Sequence, residues 1–275
     1  MSERRKTKQP PAGDTLLNEL RRKAKLFESD MYGENLQSNL SDRIPTGIKG
    51  FDELIQGGLL KGETYIISGV SGAGKSIFSL EYLYRGASQF DEPGLYVTFE
   101  ETMQSLLRNG QNFGWNLSDL FEKKKLMIVD FALMTMGDKA LSLNPEAFNL
   151  DGLYVTLEAA VTELGVKRVV LDPVSVLFLQ FPNIGVIRRE LNIISSMLRK
   201  NNCTTLFVTE IGNDPTKISR FGVEEYLANG VIVLYWEAEN DKRSRYIEVF
   251  KMRGTAHYMG RRRLSITNDG ISVIY

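Results

Sequence analysis

The stretch Gly69-Val-Ser-Gly-Ala-Gly-Lys75-Ser76 constrains this chain more than any other part of it. It matches the pattern G-x-x-x-x-G-K-[ST], in which glycines let backbone N–H groups turn toward phosphate oxygens. β-branched and aromatic residues at 64–68 predict a strand before it, and apolar spacing at 77–84 predicts a helix after it. Because this motif requires a strand on one side and a helix on the other, the sequence predicts a phosphate-binding loop.

Composition and charge narrow the class of protein. The chain has 275 residues, with 34 basic and 34 acidic side chains. That suits one large α/β domain with appendages, and it provides no net charge that favours nucleic acid or an anionic membrane. Cys203 is the only cysteine, which excludes an intrachain disulfide. The sequence contains no apolar run of about 18 residues and no signal peptide, so we expect a cytoplasmic protein without a membrane contact.

Residues 1–42 differ in composition from the rest of the chain. Basic residues and two prolines crowd residues 1–13, which predicts a basic N-terminal arm that is partly disordered. Asp14 is suited to cap a helix that runs to about Glu28. Such a helix would pack on its own domain, link subunits or contact an acidic partner. Its apolar positions fall at helical spacing and are Leu16, Leu17, Leu20, Ala24 and Phe27.

The remaining residues, 43–275, show alternating strand and helix patterns. Strand-helix alternation predicts right-handed crossovers and a mainly parallel sheet flanked by helices. The last fifth of the chain instead contains strands joined by short turns, such as Asn268-Asp269-Gly270. We therefore predict an α/β fold whose parallel sheet is extended by C-terminal antiparallel strands. The predicted strands after the loop are 95–99, 126–129, 168–172, 204–209, 231–236, 245–253, 263–267 and 271–275.

Three polar residues in this pattern are candidates for phosphate and metal binding. Lys75 would reach the β- and γ-phosphates of a nucleotide, and Ser76 would ligate Mg²⁺. Asp172 ends an apolar strand about a hundred residues later, where a carboxylate is expected as the second protein group that holds the metal. The alternative for Asp172 is a cap of the turn that begins at Pro173.

Glu100 and Glu101 follow another predicted strand. Ligands in open α/β sheets bind at the carboxyl ends of strands, so a carboxylate there is suited to polarise an attacking water. Repulsion between neighbouring carboxylates would raise the pKa of one of them. The alternative is a polar first turn of the next helix, where glutamate is favoured by the helix dipole. Spacing alone leaves both open.

The stretch from Lys251 to His257 is the other notable polar segment. Lys251 and Arg253 stand two apart on a predicted strand, so their side chains share a face. Gly254 then turns the chain, and the only histidine, His257, follows. These residues would bind phosphate or form an ordinary polar strand edge, and the spacing alone favours the edge.

Several motifs together resemble the KaiC-type ATPases, in the RecA-like branch of the phosphate-loop proteins. The similarity covers about 43–275 and leaves 1–42 outside. Beside the phosphate loop, the matching motifs are Pro45-Thr-Gly-Ile-Lys-Gly-Phe-Asp52, Phe90-Asp-Glu-Pro-Gly94, Val97-Thr-Phe-Glu-Glu-Thr102, Phe113-Gly-Trp115, Arg188-Arg-Glu-Leu191, Phe221-Gly-Val-Glu-Glu225 and Lys251 to His257.

The resemblance implies a homohexameric ring that binds ATP with Mg²⁺ between subunits. Glu100 and Glu101 would then be the catalytic carboxylates. Lys251, Arg253 and His257 would reach the γ-phosphate of the nucleotide bound to the neighbouring subunit, as an arginine finger does. The same nucleotide would be lined by Met252, Thr255, Thr267, Asn268 and Asn112. Its phosphates would be held by Gly69, Gly72, Ala73, Gly74, Lys75, Ser76 and Ile77.

Two positions depart from the family pattern. Glu224-Glu225-Tyr226-Leu227 stands where kinase-type domains of the family carry adjacent Ser and Thr, which favours an ATPase-type domain over a self-phosphorylating kinase. Asn268 stands where the family often has aspartate. The leading hypothesis is an ATPase for signalling or timing, with a regulatory protein as a candidate partner.

Two alternatives remain open at this stage. A DNA-acting motor or recombinase of the same fold would use the basic arm and the loop 211–222, but the neutral net charge and the absence of a stacking platform do not favour nucleic acid. A nucleotide-regulated scaffold with negligible turnover would use ATP only to join subunits.

Overall fold

The computed structural model describes residues 42–131, 150–180, 183–212, 217–222, 224–239 and 241–275. The second of the two units of the chain runs from Arg43 to Tyr275. The predicted arm and its helix lie outside the described residues, as does the segment 132–149. The arm therefore stays a prediction.

The strands agree closely with the expected pattern, and two short strands precede it. In chain order they are β1 (Arg43–Ile44), β2 (Leu59–Leu60), β3 (Thr64–Gly69), β4 (Gly94–Thr98), β5 (Leu126–Asp130), β6 (Arg168–Asp172), β7 (Thr204–Glu210), β8 (Gly230–Glu239), β9 (Lys242–Met252), β10 (Arg261–Thr267) and β11 (Gly270–Ile274).

Helices fill the crossovers between the parallel strands. They are α1 (Lys75–Gln89), α2 (Met103–Asn112), α3 (Leu117–Glu122), α4 (Leu150–Leu164), α5 (Ser175–Gln180) and α6 (Ile184–Lys200), with 3-10 turns at Asp52–Ile55 and Glu224–Tyr226. None of the helices in the described ranges is both long enough and apolar enough to cross a membrane.

Nine strands of the described residues form one sheet, in the order β11-β10-β9-β8-β3-β7-β6-β4-β5. The strands from β8 to β5 run parallel to one another. β9, β10 and β11 continue the sheet as antiparallel neighbours. The predicted parallel sheet with an antiparallel C-terminal extension is therefore confirmed.

The sheet is covered on both faces, which explains why its central strands are continuously apolar. On β6, Val170 packs into one core, while Val169 and Leu171 pack into the other. The first core contains apolar residues of α1, α2 and α3, and the second contains those of α4 and α6. Because the strands from β8 to β5 run parallel, their carboxyl ends lie at the same end of the sheet.

Candidate functional site

The phosphate loop connects the carboxyl end of β3 to the start of α1, at this end of the sheet. Gly72 has φ 76° and Gly74 has φ 108°, backbone conformations that L side chains rarely adopt. A Cβ on Gly74 would also lie 2.7 Å from Cδ1 of Ile266 on β10. Both glycines are therefore needed for the path that opens the first turn of α1 toward an anion.

Lys75 is the first residue of α1 and folds back over the loop. Its Nζ donates hydrogen bonds to the carbonyl oxygens of Gly69 at 2.9 Å and Val70 at 3.2 Å. Burial lowers the pKa of the Lys75 ammonium, while nearby carboxylates oppose that shift. An ammonium held by two neutral carbonyls is free to exchange them for phosphate oxygens, which are stronger acceptors.

Asp172 ends β6 beside this helix start and is 8% exposed. Its carboxylate accepts a hydrogen bond from the Tyr96 hydroxyl, and Ser76 lines the same cavity. Burial raises the pKa of Asp172 to about 6. The structure therefore brings together the two residues that the sequence predicts as metal ligands, Ser76 and Asp172.

Glu100 and Glu101 are adjacent in sequence but differ in environment. The Glu101 carboxylate accepts hydrogen bonds from Ser105 at 3.2 Å and from Asn109 at 3.4 Å, which ties it to α2. Glu100 is exposed. Its pKa is raised, first by desolvation and then by the charge of Glu210, with Glu101 a smaller cause than the sequence suggested. Of the two carboxylates, Glu100 is thus the more exposed.

These residues share one cavity of about 440 Å³. A helix start, a lysine and several carboxylates converge there, which is the polar arrangement expected of a nucleotide phosphate site. In the part of the chain that the structure describes, it is lined by Ser71, Gly72, Gly74, Lys75, Ser76, Ile77, Glu100, Glu101, Asn109, Asp172, Pro173, Glu210 and Arg245.

Apart from Ser71 and Pro173, which adjoin predicted residues, sequence reasoning missed three residues of this lining. Glu210 ends β7, next to β3 in the sheet, and the rule that ligands bind at strand ends would have found it. Asn109 stands eight residues after Glu101, a spacing that places two residues on the same side of a helix. Arg245 gives no local signal, because only the pairing of β8 with β9 brings its Nε within 3.3 Å of the Gly72 carbonyl.

The donor set fits a magnesium ion that is shared with phosphate. Four carboxylates and two cationic side chains line the cavity, so an anionic nucleotide needs an added positive charge there. Within the described ranges, no cluster of three or more acidic, histidine or cysteine side chains would hold a metal by itself. The Ser76 hydroxyl and the Asp172 carboxylate, which line the same cavity, match the few protein oxygens that Mg²⁺ takes beside phosphate and water.

The segment from Lys251 to His257 lies at the opposite end of the sheet. Met252 pairs with Gly230, which pairs with Tyr65 at the start of β3. The phosphate loop follows the other end of β3 at Gly69, roughly 13 Å away at about 3.3 Å per residue. These residues therefore do not line the nucleotide cavity of their own chain.

Side chains at this far end differ in how tightly they are held. Lys251 donates to the carbonyl oxygens of Glu225 at 2.8 Å and Ala228 at 2.9 Å, and burial lowers its pKa. Thr255 accepts a hydrogen bond from Arg43 at 3.1 Å. Arg253 is exposed. Its guanidinium projects at the surface, where another molecule can meet it.

The other predicted contacts fall at the loop end. Thr267 and Asn268 close the hairpin of β10 and β11, whose Ile266 lies against Gly74. Gly69 and Ala73 are buried and shape the loop without lining the cavity. Asn112 is exposed as the last residue of α2 and is outside that lining, so its contact with a nucleotide stays a prediction.

The fold and the site define a RecA-like phosphate-loop domain. The family model described as ATPase: KaiC matches residues 44–275. The chain is 39% identical over 231 residues to the circadian clock oscillator protein KaiC of Prochlorococcus marinus (strain MIT 9313), covering 84% of this chain and 46% of that protein. It is 40% identical over 245 residues to KaiC of Parathermosynechococcus lividus, covering 87% of this chain and 44% of that protein.

A solved structure agrees with these matches. The crystal structure of a KaiC-like protein from the archaeon Pyrococcus horikoshii OT3 superposes with a TM-score of 0.74 at 34% identity, covering 85% of this chain and 99% of that one. The chain belongs to the KaiC ATPase family. It spans slightly less than half the length of the clock proteins that it matches.

Proposed function

We propose that this protein is a Mg²⁺-dependent ATPase that forms a homohexameric ring with nucleotide bound between subunits. The observation that carries the proposal is the separation of two polar groups on one rigid sheet. Lys75 and Asp172 face a cavity at one end, and Arg253 is exposed at the other. Stacking subunits head to tail in a closed ring brings the far end of each subunit to the cavity of the next.

The bound nucleotide would be held mostly by its own subunit. The phosphates would lie on the N–H groups of the loop and at the start of α1, and Lys75 would exchange its two carbonyl partners for phosphate oxygens. Thr267 and Asn268 are on this side as well. Ser76 and Asp172 would hold Mg²⁺, which supplies charge neutralisation at the phosphate oxygens when it is bound.

Hydrolysis would be an in-line attack of water on the γ-phosphorus. Glu100 would orient and polarise that water, because its carboxylate faces the cavity and its raised pKa suits proton acceptance. Glu101, tied to Ser105 and Asn109, would keep the start of α2 in place.

The neighbouring subunit would supply the remaining positive charge. Arg253 of that subunit would stabilise charge on the transferring group, as an arginine finger does. His257 and Lys251 would flank it. Thr255 belongs to the same segment and would line the nucleotide from that side, whereas the side chain of Met252 is buried in the core of its own subunit. In this proposal, the segment from Lys251 to His257 therefore acts on the nucleotide that is bound to the phosphate loop of the neighbouring subunit.

Signalling or timing is the role we propose for the ring, with a regulatory protein as partner and the cytoplasm as its location. Self-phosphorylation is not favoured. Residues 224–227 contain no Ser or Thr. Glu224 accepts a hydrogen bond from Thr209 at 3.0 Å, and Glu225 accepts one from Ser219, so both carboxylates have local structural partners.

The test is phosphate release from Mg·ATP by the purified chain at low salt, with and without single-stranded DNA. We expect release that requires Mg²⁺, is lost in Lys75→Ala and is indifferent to DNA. Arg220, one of the two cations of the loop 211–222, pairs with Glu210 at 3.0 Å. Strong stimulation by DNA would favour the motor, and release that survives Lys75→Ala would refute the site.

A further inference from the structure

The buried hydroxyl of Tyr96 is a feature of the site that the mechanism above does not use. Tyr96 is fully buried in β4 and donates a hydrogen bond to Oδ2 of Asp172. The tyrosine therefore contacts one of the two residues that would hold the metal ion, from a strand that lies behind it.

The strand fixes where this hydroxyl lies. In β4, Tyr96 pairs with Ile128 of β5 on one side and with Val170 of β6 on the other. Its ring belongs to the core beneath α1. Asp172 belongs to β6, so the donor and the acceptor stand on neighbouring paired strands with little freedom to move apart.

We propose that Tyr96 is a positioning residue for the divalent cation of this site, acting through Asp172. Its hydroxyl donates to Oδ2 of the carboxylate, and this hydrogen bond would hold the carboxylate in one orientation at the wall of the cavity. Hydrogen bonds that orient a metal-ligating carboxylate typically change metal affinity by about 10- to 100-fold. The inference rests on the proposed function, because the cation belongs to the Mg·ATP site.

Burial makes this hydrogen bond consequential. A carboxylate that is taken out of water retains its charge only where hydrogen-bond donors compensate for the lost solvation. For Asp172 the structure shows such a donor in the Tyr96 hydroxyl. Tyr96 is anchored in the sheet and would hold the carboxylate in the same place with or without nucleotide, whereas Ser76 is in the first turn of α1, beside the loop that would bind phosphate.

The test compares Tyr96→Phe with a matched tyrosine elsewhere in the core. Tyr82 is also fully buried, and its hydroxyl donates to the carbonyl oxygen of Thr204 at 3.2 Å, away from the cavity lining. Binding of a fluorescent ATP analogue, mant-ATP, is measured for the full chain in EDTA and across a Mg²⁺ titration. This measurement needs no turnover.

For Tyr96→Phe we expect affinity in EDTA within about twofold of wild type and a half-saturating Mg²⁺ concentration raised about tenfold. Tyr82→Phe should leave that concentration unchanged. An unchanged concentration in Tyr96→Phe, or an equal rise in Tyr82→Phe, overturns the inference. Wild-type binding that ignores Mg²⁺ would instead contradict the proposed function.

A double-mutant cycle with Asp172→Asn separates a positioning role from a general loss of stability. If Tyr96 acts through Asp172, adding Tyr96→Phe to Asp172→Asn produces no further change in the Mg²⁺ dependence, because the two effects share one partner. Additive effects of the two substitutions would overturn the inference. The cycle also decides the matter if Tyr96→Phe lowers the melting temperature, since it compares Mg²⁺ dependence and not stability.

Discussion

The two ends of the central sheet differ in whether their functional side chains are already bound by groups of the same chain. At the carboxyl ends of the parallel strands, Lys75 and Asp172 are hydrogen-bonded to groups of the same chain. At the opposite end, Arg253 is exposed, although its neighbour Lys251 is held by two carbonyl oxygens. The first end contains a preformed pocket. The second end presents the exposed cation Arg253 at the surface.

This difference explains why a single subunit would be an incomplete enzyme. A preformed phosphate site binds nucleotide without rearranging the fold, which favours affinity. Charge that develops in a transition state needs groups that are already aimed at it. If those groups are on another subunit, assembly controls turnover and binding remains intact. The predictions below test that separation.

Arg253→Ala should have the largest effect. We expect turnover to fall by about 1,000-fold, the lower range for removal of an arginine finger, while the Kd for mant-ATP changes by less than about threefold. Phosphate release and fluorescence binding measure the two quantities. Arg261→Ala is the matched control, because Arg261 is an exposed arginine of β10 that pairs with Glu237 and Glu248. Loss of nucleotide binding in Arg253→Ala would contradict the claim that the loop end binds nucleotide without the far end.

Substitutions of the two carboxylates at the loop end, Glu100 and Glu101, should lower turnover by different amounts. Glu100→Gln is expected to lower turnover by about 100-fold, typical of a lost general base, with ATP binding retained. Glu101→Gln should cost about tenfold or less, because a glutamine still accepts hydrogen bonds from Ser105 and Asn109. The reverse order in a phosphate-release assay would assign the water to Glu101. Full activity in the double variant would exclude both.

Substitution of Glu81 should have the smallest effect. Glu81 connects α1 to the hairpin that contains Thr267 and Asn268. Glu81 on α1 is buried, accepts from the Ile271 N–H at 2.7 Å and pairs with Arg85 at 3.1 Å. Glu81→Leu leaves that N–H without its acceptor and should reduce the free energy of unfolding by about 2 kcal/mol. Urea denaturation measures this.

Glu158→Leu is the control for that substitution, because Glu158 is an exposed residue of α4, and it should change stability by less than about 0.5 kcal/mol. Equal midpoints for the two variants would show that the hairpin is held in place by other contacts.

The loop end could be predicted from the sequence because its signals are local. The phosphate loop, the strand before it and Asp172 at the end of β6 were each identified from a few neighbouring residues. The sequence does not predict α3 or α5, because six residues in each helix are too few for a periodic pattern. The helix predicted to start at Ile77 starts at Lys75, because the loop itself leads into the first turn.

The far end could not be predicted in the same way. That Lys251 and Arg253 lie opposite the phosphate loop depends on the register of β9 against β8, including an irregularity between Val231 and Ile232. No pattern within β9 encodes that register. The contact of Tyr96 with Asp172 likewise depends on β4 and β6 being neighbours, although 76 residues separate them in sequence.

Mixing two inactive variants tests most directly whether the site is shared between subunits. Lys75→Ala lacks a working phosphate loop, and Arg253→Ala lacks the cation at the far end. In rings formed from an equal mixture, a random interface has a one in four chance of joining an intact loop to an intact Arg253. We therefore predict recovery of about a quarter of wild-type phosphate release. No recovery, in rings shown to contain both variants, would contradict the account.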